Sequence, residues 1–270
     1  MVPVTTDELE TVLGNGRLEA VMLGSGTSAG VPVIGCGCEV CTSDDAHNRR
    51  LRTSLWLRSG TTSLLIDSST DLRQQALVFG IERLDAILYT HAHADHILGL
   101  DDVRAFNFRQ RQAIPCYGSA ATLAHIRRCF SYVFEPGSEG GGKPRVDLFP
   151  VDGPFAVGDI EAVPVPVEHG SIEALGYRFG SLAYVTDCSG LPPAAIELLA
   201  GVEVLILDAL RFRSHPTHFS VGEAIEAAAA IGPRRLILTH LSHEVDHRAP
   251  REPLPAGVEL GYDGLRIEFS

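Results

Sequence analysis

The chain has 270 residues, of which 45% are hydrophobic and 21% are charged, and this balance indicates a globular protein rather than a disordered or fibrous one. With 22 basic and 34 acidic side chains, the formal net charge of −12 argues against an extensive nucleic-acid-binding surface, because phosphate neutralisation dominates such binding. No apolar run reaches the ~18–20 residues of a membrane span, and the acidic first ten residues do not resemble a secretory signal, so we expect a cytoplasmic protein.

Apolar runs of strand length recur along the chain, and several are continuous rather than alternating, which is typical of strands buried on both faces. They lie at residues 18–23, 63–67, 84–89, 114–117, 160–167, 181–186, 202–207 and 235–239. Segments with helical periodicity lie at residues 72–79, 96–109, 120–130, 193–199 and 221–231. Strands and helices mix throughout, so we predict an α/β or α+β fold in which helices cover the sheets.

The domain organisation is predicted to be simple. Residues 1–17 are interpreted as a short N-terminal extension and residues 18–270 as a single domain. The stretch 135–144 is rich in glycine and proline, which predicts a flexible surface loop. We place this loop inside the domain because candidate metal ligands lie on both sides of it, at residues 91–96 and 169–240, and must come together in the fold.

Three of the six cysteines, Cys36, Cys38 and Cys41, fall within six residues on a glycine-containing loop. Without a secretory signal a disulfide framework is not expected, and clustered cysteines then indicate metal binding. Three thiolates provide three corners of a tetrahedral zinc site, which needs a fourth nitrogen or sulfur ligand. The other cysteines, Cys116, Cys129 and Cys188, are scattered and are predicted to be small core residues. A basic cluster at residues 48–52 either faces an anionic substrate or is solvated.

The strongest signal for chemistry comes directly after the predicted strand 84–89. His91 and His93 are two residues apart in extended chain, where side chains share a face, so both can bind one metal ion. Asp95 and His96 follow where the chain turns into a helix, and they can reach a second ion. Three further candidate ligands come after later predicted strands: His169, Asp187 and His240.

Together these residues resemble the five motifs of the metallo-β-lactamase superfamily, over nearly the whole chain from about residue 18. The resemblance implies a four-layer αβ/βα sandwich with a dinuclear metal site along the joined edge of two sheets. It assigns one metal to His91, His93 and His169. It assigns the other to Asp95, His96 and His240, with Asp187 bridging the two ions.

Within the superfamily, the cysteine loop after residues 23–28 is similar to that of PhnP-like phosphodiesterases. That resemblance implies His243, three residues after the last active-site histidine, as the fourth ligand of a structural zinc ion. It also implies that His218 reaches the substrate phosphate, and Asp208 resembles the carboxylate that orients this histidine in tRNA-processing relatives. The remaining histidines are predicted to be surface or structural residues, with His215 the strongest candidate for an exception.

We therefore predict a dinuclear metal-dependent phosphodiesterase. The expected substrate is a small or cyclic phosphodiester, of the phosphoribosyl cyclic phosphate or cyclic nucleotide type. A hydroxide bridging two divalent ions, Mn²⁺ or Zn²⁺, is expected to attack phosphorus in line. Catalysis is assigned to His218, Asp208 and Asp95, the last of which is also a metal ligand. A homodimer is the expected assembly, and no membrane or extended nucleic-acid partner is expected.

Three alternatives remain open from the sequence. A PqqB-like protein of pyrroloquinoline quinone synthesis shares the cysteine cluster, but the complete set of active-site ligands favours hydrolysis. A tRNA 3′-processing endonuclease shares His218, but it normally carries a long tRNA-gripping arm, for which the glycine-rich loop is too short. A non-catalytic zinc-binding module predicts bound metal without turnover.

Overall fold

The computed structural model of the chain describes residues 18–135 and 142–270, and two seven-stranded sheets organise them. The predicted N-terminal extension and most of the predicted loop at 135–144 lie outside the described residues. In spatial order, the first sheet contains β14 (Arg266–Phe269), β1 (Leu18–Gly24), β2 (Ser54–Arg58), β3 (Ser63–Ile66), β4 (Ala86–Leu88), β5 (Ile114–Gly118) and β6 (Val146–Pro150). The second contains β13 (Val258–Leu260), β12 (Arg235–Thr239), β11 (Val204–Asp208), β10 (Leu182–Val185), β9 (Ile172–Phe179), β8 (Ile160–His169) and β7 (Phe155–Val157).

Both sheets are mixed. The pairs from β14 to β3 are antiparallel and those from β3 to β6 are parallel. In the second sheet, the pairs from β7 to β10 are antiparallel and those from β10 to β13 are parallel. Parallel strands place their carboxyl ends at the same edge of a sheet, which is where a site can be assembled from several loops.

Seven α-helices and two 3₁₀ turns connect the described strands. The helices are α1 (Leu72–Phe79), α2 (Ala94–Ile97), α3 (Arg104–Gln110), α4 (Ala120–Cys129), α5 (Ser131–Phe134), α6 (Pro193–Leu199) and α7 (Val221–Ala229), and the 3₁₀ turns are Ala46–Asn48 and Leu98–Val103. Helix α7 begins with a capping box between Ser220 and Glu223, whose side chains satisfy backbone N–H groups that the first turn leaves free.

Three apolar clusters define the layers. On β1, Ala20 and Met22 point into the cluster between the two sheets, whereas Val21 and Leu23 point outward into a cluster with the helices of the first half. A third cluster lies between the second sheet and helices α6 and α7. The order is therefore helix, sheet, sheet, helix, and the predicted four-layer αβ/βα sandwich is confirmed. Among the described residues, no helix is both long and apolar enough to span a membrane.

The predicted helix at 96–109 is wrong as a continuous element, because it is divided into α2, the 3₁₀ turn Leu98–Val103 and α3. The division coincides with a close approach at Gly99, where a Cβ atom would lie 2.0 Å from the carbonyl oxygen of Ser69. The chain therefore packs too tightly here for any larger residue.

Candidate active site and cysteine cluster

The predicted metal ligands converge where strands of both sheets end. His91 and His93 lie in the turn after β4, and His169 is the last residue of β8. Asp187 follows β10 by two residues, and His240 comes directly after β12. The site is therefore built from chain segments that are far apart in sequence, and the sheets bring them together.

Three residues that follow strands β3, β10 and β12 adopt left-handed backbone conformations, which are uncommon for residues other than glycine. Their φ angles are 62° at Asp67, 52° at Asp187 and 59° at His240. Such conformations cost about 1–3 kcal/mol each and tend to cluster at functional sites, where the surrounding structure enforces them. The resulting sharp turns direct these side chains toward the common edge.

The ligand atoms form two groups, and the atoms of each group lie within 4.8 Å of one another. In the first, His93 Nδ1 is 2.9 Å from His91 Nε2 and 3.3 Å from His169 Nε2. In the second, His96 Nε2 is 3.3 Å from an oxygen of Asp95 and 3.3 Å from an oxygen of Asp187. Asp187 belongs to both groups. The members are His91, His93, His169 and Asp187 in the first, and Asp95, His96, Asp187 and His240 in the second.

The chemistry of these donor sets fits divalent cations. In the part of the chain that the structure describes, His96 Nε2 and both ring nitrogens of His240 are buried without a hydrogen-bond partner. Burying such a group costs free energy unless it is satisfied. Nitrogen and oxygen atoms about 3 Å apart match the spacing of ligands that share an ion at roughly 2.0–2.2 Å. A metal ion in each group would satisfy them.

The protonation states suit the same interpretation. Burial lowers the pKa of His91 well below the usual range and also lowers those of His93 and His169, which keeps these rings neutral. Burial alone would raise the pKa of Asp187, but the adjacent His240 and His96 hold it well below its usual range. Metal ligands must be neutral imidazoles and ionised carboxylates, so the first group and Asp187 already have the required protonation states. Burial opposes protonation of His96 and His240, but the Asp187 carboxylate raises the pKa of both rings, which would therefore release a proton when a metal binds.

Asp67 is a site residue that the sequence analysis missed. It is fully buried and accepts hydrogen bonds from His96 Nδ1 at 2.7 Å and from the backbone N–H of Thr90 at 2.8 Å. A carboxylate on one ring nitrogen fixes the orientation of a histidine and leaves the other nitrogen for a metal. Asp67 ends the predicted strand 63–67, so the strand-end reasoning that identified Asp187 could also have identified it.

His218 and Asp208 lie together beside both groups. Asp208, buried at the end of β11, is 3.1 Å from His218 Nδ1 and also accepts the backbone N–H of Phe219 at 3.1 Å. The ring of His218 stacks on that of His240 with centroids 4.7 Å apart, and it lies 4.9 Å from the ring of His169. With Nδ1–H donated to Asp208, the Nε2 of His218 is the ring nitrogen available for chemistry.

The cysteine cluster forms a separate site. The Sγ atoms of Cys36, Cys38 and Cys41 lie 3.3, 3.4 and 3.5 Å from Nδ1 of His243. Tetrahedral zinc bonds to sulfur at ~2.3 Å and to nitrogen at ~2.0 Å, which separates the two ligand atoms by roughly 3.5 Å. A hydrogen bond from the backbone N–H of Cys41 is the main cause that lowers the pKa of Cys38 to about 7, whereas burial raises the pKa of Cys41 to about 11, so the distances rather than the pKa values carry the assignment. The residues therefore fit a zinc ion.

Arg50 connects the two sites, and the prediction that its basic cluster faces a substrate or solvent is wrong for this residue. Its buried guanidinium donates to the carbonyl oxygens of Ser242 at 2.9 Å and Val245 at 2.8 Å. It thereby fixes the segment that carries His240 and His243. Cys129 is exposed, so its predicted core position is also wrong.

Comparisons with known proteins agree with this geometry. The chain matches a family model described as a beta-lactamase superfamily domain over residues 62–241. It is similar to the crystal structure of a new diphosphatase from the PhnP family, with 42% sequence identity, a TM-score of 0.87, and coverage of 94% of this chain and 98% of that one.

Two curated relatives carry different names. An octanoyltransferase of Porphyromonas gingivalis is 41% identical over 253 residues, which are 92% of this chain but only 51% of that protein, so the chain spans about half its length. A coenzyme PQQ synthesis protein B of Methylobacterium nodulans is 26% identical over 315 residues, covering 93% of this chain and 100% of that protein.

Proposed function

The chain belongs to the metallo-β-lactamase superfamily as a PhnP-like, metal-dependent hydrolase, and from this we propose that it is a dinuclear phosphodiesterase acting on a small or cyclic phosphodiester. The substrate class is that of a phosphoribosyl cyclic phosphate or a cyclic nucleotide. Asp95, His96 and His240 would hold one catalytic ion, His91, His93 and His169 the other, and Asp187 would bridge them.

The observation that carries this proposal is the position of the His218–Asp208 pair. A phosphodiester needs a group that protonates its leaving oxygen or stabilises charge on its non-bridging oxygens. His218 lies against His240 of one ligand group and His169 of the other, so a phosphate bound between the groups would lie beside its ring. To act as the acid, His218 must be the imidazolium, in which Nδ1–H donates to Asp208 and Nε2–H delivers the proton to the leaving oxygen.

The bound ions would lower the pKa of a water molecule and stabilise negative charge on phosphoryl oxygens. The nitrogen- and oxygen-rich donor set suits either Mn²⁺ or Zn²⁺. Two divalent cations outweigh the carboxylates of Asp95 and Asp187, so the centre would attract an anionic substrate although the whole chain is acidic. The cysteine cluster with His243 is proposed to hold a structural zinc ion.

A diphosphate is the second candidate substrate, because the similar PhnP-family structure is described as a diphosphatase. Cleavage of its phosphoanhydride bond needs the same metal ions and the same stabilisation of non-bridging oxygens, but its leaving group is a phosphate, which depends less on protonation than an alkoxide. The names of the other relatives carry less weight for this chain. The match to the octanoyltransferase covers about half of that protein, and the identity to the PQQ protein is 26%.

An assay of purified, metal-loaded protein tests the proposal. We expect hydrolysis of bis-p-nitrophenyl phosphate and of at least one cyclic nucleotide when Mn²⁺ or Zn²⁺ is supplied. The Asp187→Asn variant should be inactive, and the matched variant His125→Gln should retain the wild-type rate, because His125 is a half-buried residue of α4 that belongs to neither ligand group. Full metal loading without hydrolysis of any phosphate ester would instead support the PqqB-like or non-catalytic alternatives.

A further inference from the structure

His215 lies on a loop that is fixed at both its base and its tip. At the base, the backbone N–H of Val221 donates to the carbonyl oxygen of Arg211 at 2.9 Å. At the tip, Nδ1 of His169 donates to the carbonyl oxygen of Thr217 at 2.8 Å. The loop segment next to His215 is therefore held by His169, a member of the first ligand group.

The hydrogen bonds of His215 define its tautomer. The backbone N–H of Thr217 lies 3.4 Å from His215 Nδ1, and Oγ1 of the same threonine lies at 3.3 Å. A backbone N–H can only donate, so Nδ1 of the neutral ring is the acceptor and the proton resides on Nε2. This tautomer is opposite to that of His218, whose Nδ1–H donates to Asp208.

His215 also lies one ring farther from the metal-ligand groups than His218. The centroids of the two rings are 5.2 Å apart, and His218 itself stacks on His240. His215 is half-buried, so a ligand can reach it. The Nε2–H of His215 is therefore suited to donate to a substrate oxygen that lies farther from the ligand groups than the phosphate that His218 would contact.

Charged side chains of both signs surround the loop. Arg211 and Arg213 contact the carboxylate of Glu244 at 3.4 Å and 2.9 Å, and Ser214 donates to the carboxylate of Glu223 at 3.3 Å. Two cations and two anions balance in formal charge, so the acceptor is selected by the fixed Nε2–H donor rather than by the net charge of the loop. A phosphate oxygen, which only accepts hydrogen bonds, matches this donor.

We propose that His215 is a specificity-determining residue, whose Nε2–H binds the second phosphate of a diphosphate diester while the first phosphate is hydrolysed. This inference rests on the proposed function and selects its second candidate substrate, a diphosphate, over a compound with a single phosphate. His215 transfers no proton in this role. It holds the substrate by a charge-assisted hydrogen bond to an oxygen that is not part of the reacting phosphate.

Two variants of His215 separate this role from others. Glutamine is long enough to carry an amide N–H to the region of Nε2, whereas asparagine reaches only the region of Nδ1. The kinetic constants should be measured with ADP-ribose, which has two phosphates, and with bis-p-nitrophenyl phosphate, which has one. Metal content and melting temperature of each variant should be measured alongside, with His125→Gln as the control.

For ADP-ribose, we expect His215→Asn to lower kcat/KM by about 10–100-fold, mainly through KM, because a hydrogen bond to a charged group is lost. The loss for bis-p-nitrophenyl phosphate should be much smaller. His215→Gln should recover most of the ADP-ribose activity, although an amide cannot act as a general acid.

The inference is overturned if His215→Asn lowers both activities equally, or if glutamine recovers nothing. It is also overturned if the wild-type protein cleaves bis-p-nitrophenyl phosphate but not ADP-ribose, and in that case the proposed phosphodiesterase function stands. If the metal-loaded wild-type protein cleaves neither compound, the proposed function fails together with the inference.

Discussion

Asp187 is the residue on which both ligand groups depend. Its two oxygens lie 3.3 Å from His96 Nε2 and from His240 Nε2, and one of them is 3.8 Å from His91 Nε2. We expect Asp187→Ala to abolish detectable turnover while leaving the fold largely intact, because the bridging carboxylate is lost. Elemental analysis should show less metal in the two catalytic groups and unchanged zinc. Retained turnover in this variant would exclude Asp187 from the centre.

The role of His218 can be tested with substrates that differ in their leaving group. We expect His218→Ala to keep wild-type metal content and to lower kcat by ~10²–10⁴-fold, the usual effect of losing a positioned acid. A p-nitrophenolate leaving group needs no proton, so the rate with such a substrate should fall little. The rate with a substrate that releases an alkoxide from a ribose ring should fall much more. Equal losses on both substrates would make His218 an electrostatic clamp instead.

Among individual residues, the sequence predicted the metal ligands better than the residues that hydrogen-bond to those ligands and orient them. The ligand residues stand out because histidines and aspartates recur after apolar strands. Asp67, which supports His96, ends a predicted strand and could have been identified in the same way, but the hydrogen bond from His169 to the carbonyl oxygen of Thr217 is visible only in the folded chain. Contacts between distant segments leave no local spacing pattern, so most supporting residues could not be predicted from the sequence.

Among the secondary-structure elements, six strands were not predicted from the sequence. They are residues 54–58, 146–150, 155–157, 172–179, 258–260 and 266–269. Four of the six, β6, β7, β13 and β14, are the edges of the two sheets. Edge strands have one neighbour and expose more of their side chains, so they lack the continuous apolar runs that identified the interior strands.

The loop that carries Cys36, Cys38 and Cys41 is expected to depend on the proposed zinc ion for its stability. Structural zinc contributes folding free energy, so we expect Cys38→Ser to lower the melting temperature and the zinc content. The matched control is Cys129→Ser, since Cys129 is exposed and lies outside the cluster. An unchanged melting temperature and unchanged zinc in Cys38→Ser would show that the cluster is not a zinc site.

Asp263 joins the turn before β14 to two other segments. Its carboxylate accepts hydrogen bonds from the backbone N–H and the hydroxyl of Ser25 at 2.9 and 2.8 Å, and from the backbone N–H of Leu51 at 2.7 Å. Burial nevertheless raises its pKa to about 7. The folded state therefore favours the protonated acid over the carboxylate.

Because the folded-state pKa of Asp263 is raised, its contribution to stability is complete below about pH 4 and is lost as the pH rises through about 7. The full effect is roughly 4 kcal/mol, from about three pKa units. Between pH 5 and pH 8, we expect the wild-type protein to lose stability relative to Asp263→Asn, whose side chain does not ionise. Denaturant unfolding of both proteins across this range measures the difference. A difference that does not change with pH would contradict the raised pKa.

At the scale of the whole molecule, the net charge of −12 and the proposed anionic substrate are reconciled by bound cations. The two sheets place both ligand groups at one edge, and Arg50 fixes the cysteine cluster's histidine segment beside that edge. The sequence predicted this arrangement through its resemblance to a superfamily. The composition alone indicated only a globular protein, and the pattern of apolar segments added an α/β or α+β fold.

We propose that phosphodiester hydrolysis needs two ions in the His/Asp groups, in addition to one zinc ion in the cysteine cluster. The most direct test starts from protein whose catalytic metals have been removed by a chelator while the cysteine-bound zinc is retained. Mn²⁺ is then added in steps, and bound metal and hydrolysis of bis-p-nitrophenyl phosphate are measured on the same samples. We expect the rate to reach its maximum at about two added ions per chain. A maximum at one ion or fewer, or full loading without hydrolysis, would contradict this proposal.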